Sequence, residues 1–288
     1  MRKIIVDKKF NNKKIQNILQ FNFNGLSSSL FFKTLRKKDI KVNGKRITYN
    51  IIVFENDIIE IYLDDKYLFK VFSLDILYED DNILVINKPQ GIEVLSDEET
   101  CLTNLIRQKY RFKNNFPYPC HRLDRNTSGL VLYAKNKESL DILNLKIKEH
   151  EILKFYKCTV IGILNNKEAT LKDYLFKNSK KSIVYISKTF KPGYKEIITS
   201  YKVLGEDIKN NLSTLEVNLK TGRTHQIRAH LAYIGHPILG DGKYGNNEIN
   251  KKFNKNKQEL CAYKIIFKFK ADAGNLNYLN NKEFELNF

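Results

Sequence analysis

The sequence predicts an α+β protein in two parts, on three observations. Short alternating apolar runs suited to strands are interleaved with helical spacings along all 288 residues. An Asn-Gly pair between two alternating runs marks a hairpin near the N-terminus. Charge is also uneven. Residues 1–66 hold 14 Lys and Arg against 7 Asp and Glu, a net of +7, while the other 222 residues share the remaining +11 of the +18 total. The boundaries expected are 1–66 for a small α/β domain, 67–76 for a linker and 77–288 for the larger domain.

Within the small domain, Lys14 to Leu19 has apolar residues three and four apart, which predicts a helix. A second helix is expected to start at Ser27-Ser28-Ser29, where a serine hydroxyl can satisfy a free N–H, and to run to Leu35. Ile40 to Ile47 then reads as two strands around Asn43-Gly44, and Asp57 to Leu63 as a last strand. Residues 64–73 are polar with neither Gly nor Pro, as a connector would be.

Leu77 to Gly91 reads as strand, acidic turn, strand and a Pro-Gly break. Lys88 closes the second of these strands, where it either lines a site or caps the sheet rim. Leu130 to Ala134 suits a buried strand, and Asn136 caps a helix with Leu140, Leu143 and Ile147 on one face. Lys154 to Ile161 alternates as a strand, with Tyr156 on the face of Cys158 and Val160. By pattern alone such a tyrosine belongs to the core. Residues 165–200 are rich in Lys and Asn and predict an exposed hairpin or insertion. Residues 246–257 predict a flexible polar loop.

The basic balance, with a pI near 9.5, points to a polyanionic partner, although Lys, Asn and Ile abound throughout, as an A/T-rich genome also imposes. Arginine is more informative. Only 9 of the 50 basic residues are Arg, and Arg122, Arg125, Arg223 and Arg228 lie in two short segments that also hold His121, His225 and His230. A planar fork of donors differs chemically from a lysine point charge. In the first segment, His121-Arg122-Leu123-Asp124-Arg125-Asn126-Thr127-Ser128-Gly129, one carboxylate sits between two arginines, which favours its ionised, nucleophilic form. In the second, Thr221 or Thr224 is expected to cap a helix through Ile227 and Leu231, placing Arg223 at the helix N-terminus. The simplest meeting of the two loops is Arg223 with Asp124.

Other chemistries have little support. Cys101, Cys120, Cys158 and Cys261 show no paired spacing and read as reduced thiols, and no ligand spacing predicts a metal. Neither a membrane-length apolar run nor a signal core is evident, so a cytoplasmic location is expected. A carboxylate-pair glycosidase or nuclease needs a second acid about 5–9 Å away. Only Asp241 stands in a suitable motif.

Four segments carry a family resemblance: Asn87-Lys88-Pro89-Gln90-Gly91, His121 to Asp124 with Thr127 to Leu130, Gly222-Arg223-Thr224-His225-Gln226-Ile227-Arg228, and Gly235-His236-Pro237-Ile238-Leu239-Gly240-Asp241. In this order and spacing, from about Leu77 to Phe267, the chain resembles the RluA-type pseudouridine synthases. The resemblance implies a mixed, mainly antiparallel sheet with flanking helices. It also implies a cofactor-free isomerisation of uridine to pseudouridine in RNA, most plausibly large-subunit ribosomal RNA, by a protein expected to be monomeric. Lys13 to about Leu63 resembles the small RNA-binding module first known from small-subunit ribosomal protein S-four, through Gly25-Leu26-Ser27, Lys41-Val42-Asn43-Gly44-Lys45 and Asn56 to Ile61.

Carried onto this sequence, the resemblance makes Asp124 the nucleophile and Arg223 its ion-pair partner. Tyr156 becomes the residue that stacks on the target base and is tied to proton removal from carbon 5, which overturns its core reading. Arg122 would hold the target nucleotide out of its helix. Contacts to RNA are expected from Arg125, His121, Lys88, Thr127, His225 and Arg228, and from Lys41, Asn43, Lys45 and Arg46 of the small domain. The chain departs from the pattern at Cys261, where members often have His, and at Phe267 to Lys270, where a His-Pro is usual. The alternative is an RNA-binding or ribosome-assembly factor that kept the fold without catalysis.

Overall fold

The computed structural model describes residues 1–23, 25–68, 74–96, 101–110 and 117–287, and divides the chain into Met1–Ser73 and Leu74–Phe288. In the first unit, β1 (Arg2–Ile5), α1 (Ile15–Asn22), α2 (Ser28–Arg36), β2 (Ile40–Val42), β3 (Lys45–Arg46), β4 (Ile58–Ile61) and α3 (Asp65–Leu68) follow in order. Ser27 accepts the Leu30 N–H and caps α2 as its hydroxyl predicts. Asn43 and Gly44 turn with φ of 48° and 78°, the left-handed pair that a two-residue hairpin requires. The sheet order β1-β4-β2-β3 adds an N-terminal strand that the polar flanks of Ile4 and Ile5 concealed. Ile15, Ile18, Phe31, Leu35, Ile40, Ile59 and Ile61 pack into one apolar core.

Leu68 is buried in that same core, and Asp65 to Leu68 is helical, so the expected linker begins inside the first unit. Residues 69–73 of the linker lie outside the described residues.

The second unit runs β5 (Asp75–Glu79), β6 (Ile83–Lys88), α4 (Leu102–Tyr110), β7 (Ser128–Ala134), α5 (Lys137–Lys148), β8 (Ile152–Ile161), β9 (Glu168–Asn178), β10 (Ile183–Ser187), β11 (Lys195–Asp207), β12 (Leu212–Leu219), α6 (Gln226–Tyr233), α7 (Asn247–Lys252), β13 (Leu260–Phe267) and β14 (Glu283–Glu285). One large sheet joins the strands in the order β10-β9-β11-β12-β8-β13-β7-β6-β5, with β14 on β13. Only β7 and β13 are parallel neighbours among these pairs, so the sheet is mixed and mainly antiparallel. Ile83 to Ile86 is apolar throughout because both faces are covered. Leu84 and Ile86 meet α4 and α6 residues such as Ile106 and Leu231, while Ile83 and Val85 meet Leu143 of α5 on the other side.

Two expectations change here. The exposed hairpin or insertion expected over 165–200 is a hairpin, β9–β10, built into the edge of the main sheet, because Leu171, Leu175, Ile197 and Tyr201 alternate among the lysines and supply a core face. Within 246–257, Asn246 caps α7, and buried Asn250 accepts the Gly240 N–H and donates to the Asp241 carbonyl. Polar composition hid an anchored helix.

Gly129 stands where β7 meets β13, with φ of 111°, and a Cβ there would lie 2.2 Å from the Ala262 carbonyl oxygen. Gly129→Ala is therefore expected to cost more than about 3 kcal/mol of stability, read as a lower urea midpoint, because it adds both strain and overlap beside Asp124.

Candidate active site

The Asp124 loop is shaped from outside. Thr127 N–H donates to the Asp124 carbonyl at 3.0 Å, and the Thr127 hydroxyl accepts from Gln258 Nε2 at 2.6 Å. Lys88 is fully buried, and its ammonium donates to the carbonyls of Pro89, Ile92 and Arg125 at 2.9, 2.9 and 3.1 Å. Lys88 is thus a clamp between two loops rather than a contact for a ligand. Arg125 turns away too: its Nε donates to the Gly91 carbonyl at 3.0 Å, and it is not part of the cleft wall.

The second loop is locked by Gln226, whose Oε1 accepts from Arg223 N–H and the Thr221 hydroxyl while its Nε2 donates to Ile198 O and Thr199 Oγ1. Neither threonine caps α6. His225 takes the cap position, with φ of 53°, a conformation histidine adopts more readily than most residues.

Together the loops and β8 bound a cleft of about 580 Å³. Asp124 is the one carboxylate in its described wall, set among Arg122, Lys148, Lys154, Lys220, Arg223 and Arg228. The partner of Asp124 is Arg228, with Nη1 donating to Oδ2 at 2.9 Å, and not the exposed Arg223. Position explains the exchange: Arg223 stays on the loop at the cleft rim, whereas Arg228 lies inside α6 and is buried. Two further donors grip Asp241, Nε to Oδ2 at 2.7 Å and Nη2 to Oδ1 at 3.0 Å. Burial works against the charges of Arg228 and Asp241, but their mutual hydrogen bonds outweigh it, raising the first pKa and lowering the second. Asp241 is 1% exposed with both oxygens engaged, so it cannot act as the second acid of a glycosidase.

Tyr244, missed in the sequence, stacks beside this pair, its ring 5.3 Å from the Arg228 guanidinium. Its hydroxyl accepts the Val184 N–H at 2.9 Å, which leaves the hydroxyl hydrogen for His225 Nδ1, also at 2.9 Å. The network assigns the His225 proton to Nε2, 3.9 Å from Asp124 Oδ2. Burial lowers the His225 pKa despite the attraction of Asp124, so the ring is neutral near pH 7.

Tyr156 faces the cleft where a β-bulge between Phe155 and Tyr156 shifts the register of β8. Burial, then the Asp124 charge, pushes its phenol well up, so it is uncharged. His121 also lines the cleft. Its Nε2 accepts the Leu132 N–H, and burial pulls it down to about 3, so it too is neutral. Lys148, His150, Lys154 and Lys220 join the wall without having been singled out in the sequence. Their only signal was position, at the ends of α5, β8 and β12. In the first unit Asn43 is occupied, accepting the Ile58 N–H and donating to Asp57. Arg46 donates to the Lys38 carbonyl and Lys41 lies over the Tyr62 ring, while Lys45 is exposed.

Residues 82–233 match the RNA pseudouridylate synthase family. The chain belongs to that family. An uncharacterized RNA pseudouridine synthase of Mycoplasma capricolum is 35% identical, over 98% of this chain and 96% of its own length. A ribosomal large subunit pseudouridine synthase C of Buchnera aphidicola is 32% identical, over 88% and 83%. Among solved structures, human RNA pseudouridylate synthase domain containing 1 superposes with a TM-score of 0.59 at 26% identity, covering 70% of this chain and 82% of the human one. The protein is an isomerase that converts uridine to pseudouridine in RNA.

Two stability predictions follow from these contacts. Arg228→Met is expected to cost about 3–5 kcal/mol in urea unfolding, because Asp241 is left buried and unpaired, while Arg223→Met shifts stability by less than about 0.5 kcal/mol. Burial lowers Lys88 from 10.5 to about 8, so the unfolded chain binds an extra proton between those values. The stability of the wild type relative to Lys88→Met should rise with pH through that window, by about 3 kcal/mol in total, as urea unfolding at stepped pH would record.

Proposed function

We propose that Asp124 is the nucleophile of a cofactor-free isomerisation acting on uridine in large-subunit ribosomal RNA. The observation that carries this is the hydrogen bond from Arg228 to Asp124: a guanidinium gripped on its other side by Asp241 holds one carboxylate in place at a basic cleft. Ribosomal RNA is supported by the names of relatives such as the Buchnera synthase C.

The reaction breaks the bond between the ribose and uracil N1, turns the base, and joins carbon 5 to the ribose. Asp124 adds to the substrate as the bond to N1 breaks and is released again as the ribose joins carbon 5; carbon 5 then gives up its proton and N1 takes one up, so the product is an isomer of the substrate. Tyr156, an uncharged phenol, stacks on the turning base. Arg122, exposed at the rim, replaces the contacts that the uridine leaves when it is extruded. The lysines of the wall hold the flanking phosphates. The first unit supplies a second RNA contact of the S-four kind, through Lys45 and the free donors of Lys41 and Arg46.

RNA labelled with tritium at uracil carbon 5 tests this by tritium release. Asp124→Asn is expected to reduce turnover by roughly 10³-fold or more, and Arg228→Lys by a comparable amount, with RNA binding largely kept in both. Arg223→Ala should act mainly on KM. Unchanged turnover in Asp124→Asn would overturn the nucleophile assignment.

A further inference from the structure

The β9–β10 hairpin and the turn into β11 have two unlike faces. Phe176 pairs with Tyr185 and Tyr174 with Ser187, so Tyr174, Phe176 and Tyr185 point to one side, while Leu175, Val184 and Ile197 point to the other and pack under α6. Phe190 and Tyr194 complete the outward side. Phe176 stacks on Tyr194 at 5.4 Å and 27°, and Tyr174 meets Phe190 edge-on at 5.6 Å. Tyr185 is 43% exposed and Phe190 65%. A contiguous surface of five aromatic rings is costly to leave in water and marks a binding face.

Charge identifies the occupant. Between Lys172 and Glu196 stand seven lysines and two acidic residues. Lys180 and Lys181 are exposed at the hairpin tip, and Lys191 lies over the Tyr194 ring. Flat π-faces beside lysines fit a polyanion whose bases are free to stack, which is single-stranded RNA; a duplex shows its base faces only at its ends. The hairpin also borders the cleft: the backbone N–H of Val184, on edge strand β10, donates to Tyr244, Tyr244 meets His225, and His225 lies 3.9 Å from Asp124.

We propose that this aromatic face is a stacking platform for the unpaired nucleotides that flank the target uridine. It rests on reading the Asp124 cleft as the site that takes a uridine from RNA. The platform selects uridines in single-stranded loops, by stacking rather than by base-edge hydrogen bonds.

The chain has no Trp, so Tyr185→Trp places a single reporter on the platform. A short single-stranded oligouridylate is expected to quench its fluorescence, and an RNA duplex of equal length to quench it much less. Tyr185→Ala with Phe190→Ala, both exposed and checked for folding by circular dichroism, should weaken anisotropy binding of the labelled oligouridylate by roughly tenfold or more. The same pair should raise KM for RNA far more than it lowers kcat. Equal affinity in the double variant and the wild type, or equal quenching by duplex and single strand, overturns the proposal. So does a sedimentation result in which the wild type dimerises through this face and the double variant does not, with RNA affinity unchanged. Asp124→Asn separates the two readings, because it should abolish turnover while leaving the quenching of Tyr185→Trp intact.

Discussion

The bridge Asp241–Arg228–Asp124 is the contact on which the site depends. A guanidinium presents its donors in a rigid fork, and here two of them are spent on a buried carboxylate that also accepts the N–H groups of Lys243 and Tyr244. The third direction is then set by covalent geometry, and it meets Asp124. A lysine could neutralise either acid but could not fix the line between them. The scarcity of Arg in a lysine-rich chain is explained at this position by geometry as much as by charge.

Everything around the bridge keeps that line straight. Lys88 ties the Pro89–Ile92 turn to the Asp124 loop, Gln226 and Thr199 anchor the start of α6, and Tyr244 covers the guanidinium while sharing its hydroxyl between β10 and His225. These groups are polar, buried or, for Tyr244, half-buried, and each is satisfied by a partner distant in sequence. Such networks define one arrangement because any slip leaves a donor or acceptor unpaired in a low dielectric. The cost of burying the polar atoms is thereby exchanged for a carboxylate held in place at the cleft.

Local signals in the sequence were reliable where the physics is local. The Asn43-Gly44 hairpin, the caps at Ser27 and Asn136, and the strand alternation that puts Tyr156 beside Cys158 and Val160 all depend on a few adjacent residues. Composition was a poorer guide. The lysines and asparagines of 165–200 concealed strands whose inward residues are apolar, and Asn250 read as loop although its amide is a buried cross-link.

By itself the sequence determined the α+β class, the family, and which two segments bring a carboxylate and its arginines together. Those follow from periodicity, turn chemistry and motif order, all properties of neighbouring residues. Only the tertiary structure decided which arginine meets Asp124. Arg223 and Arg228 are five positions apart on a loop and a helix, and the choice between them was set by Asp241, which folds against the helix from the following turn and leaves one side chain buried and the other in water.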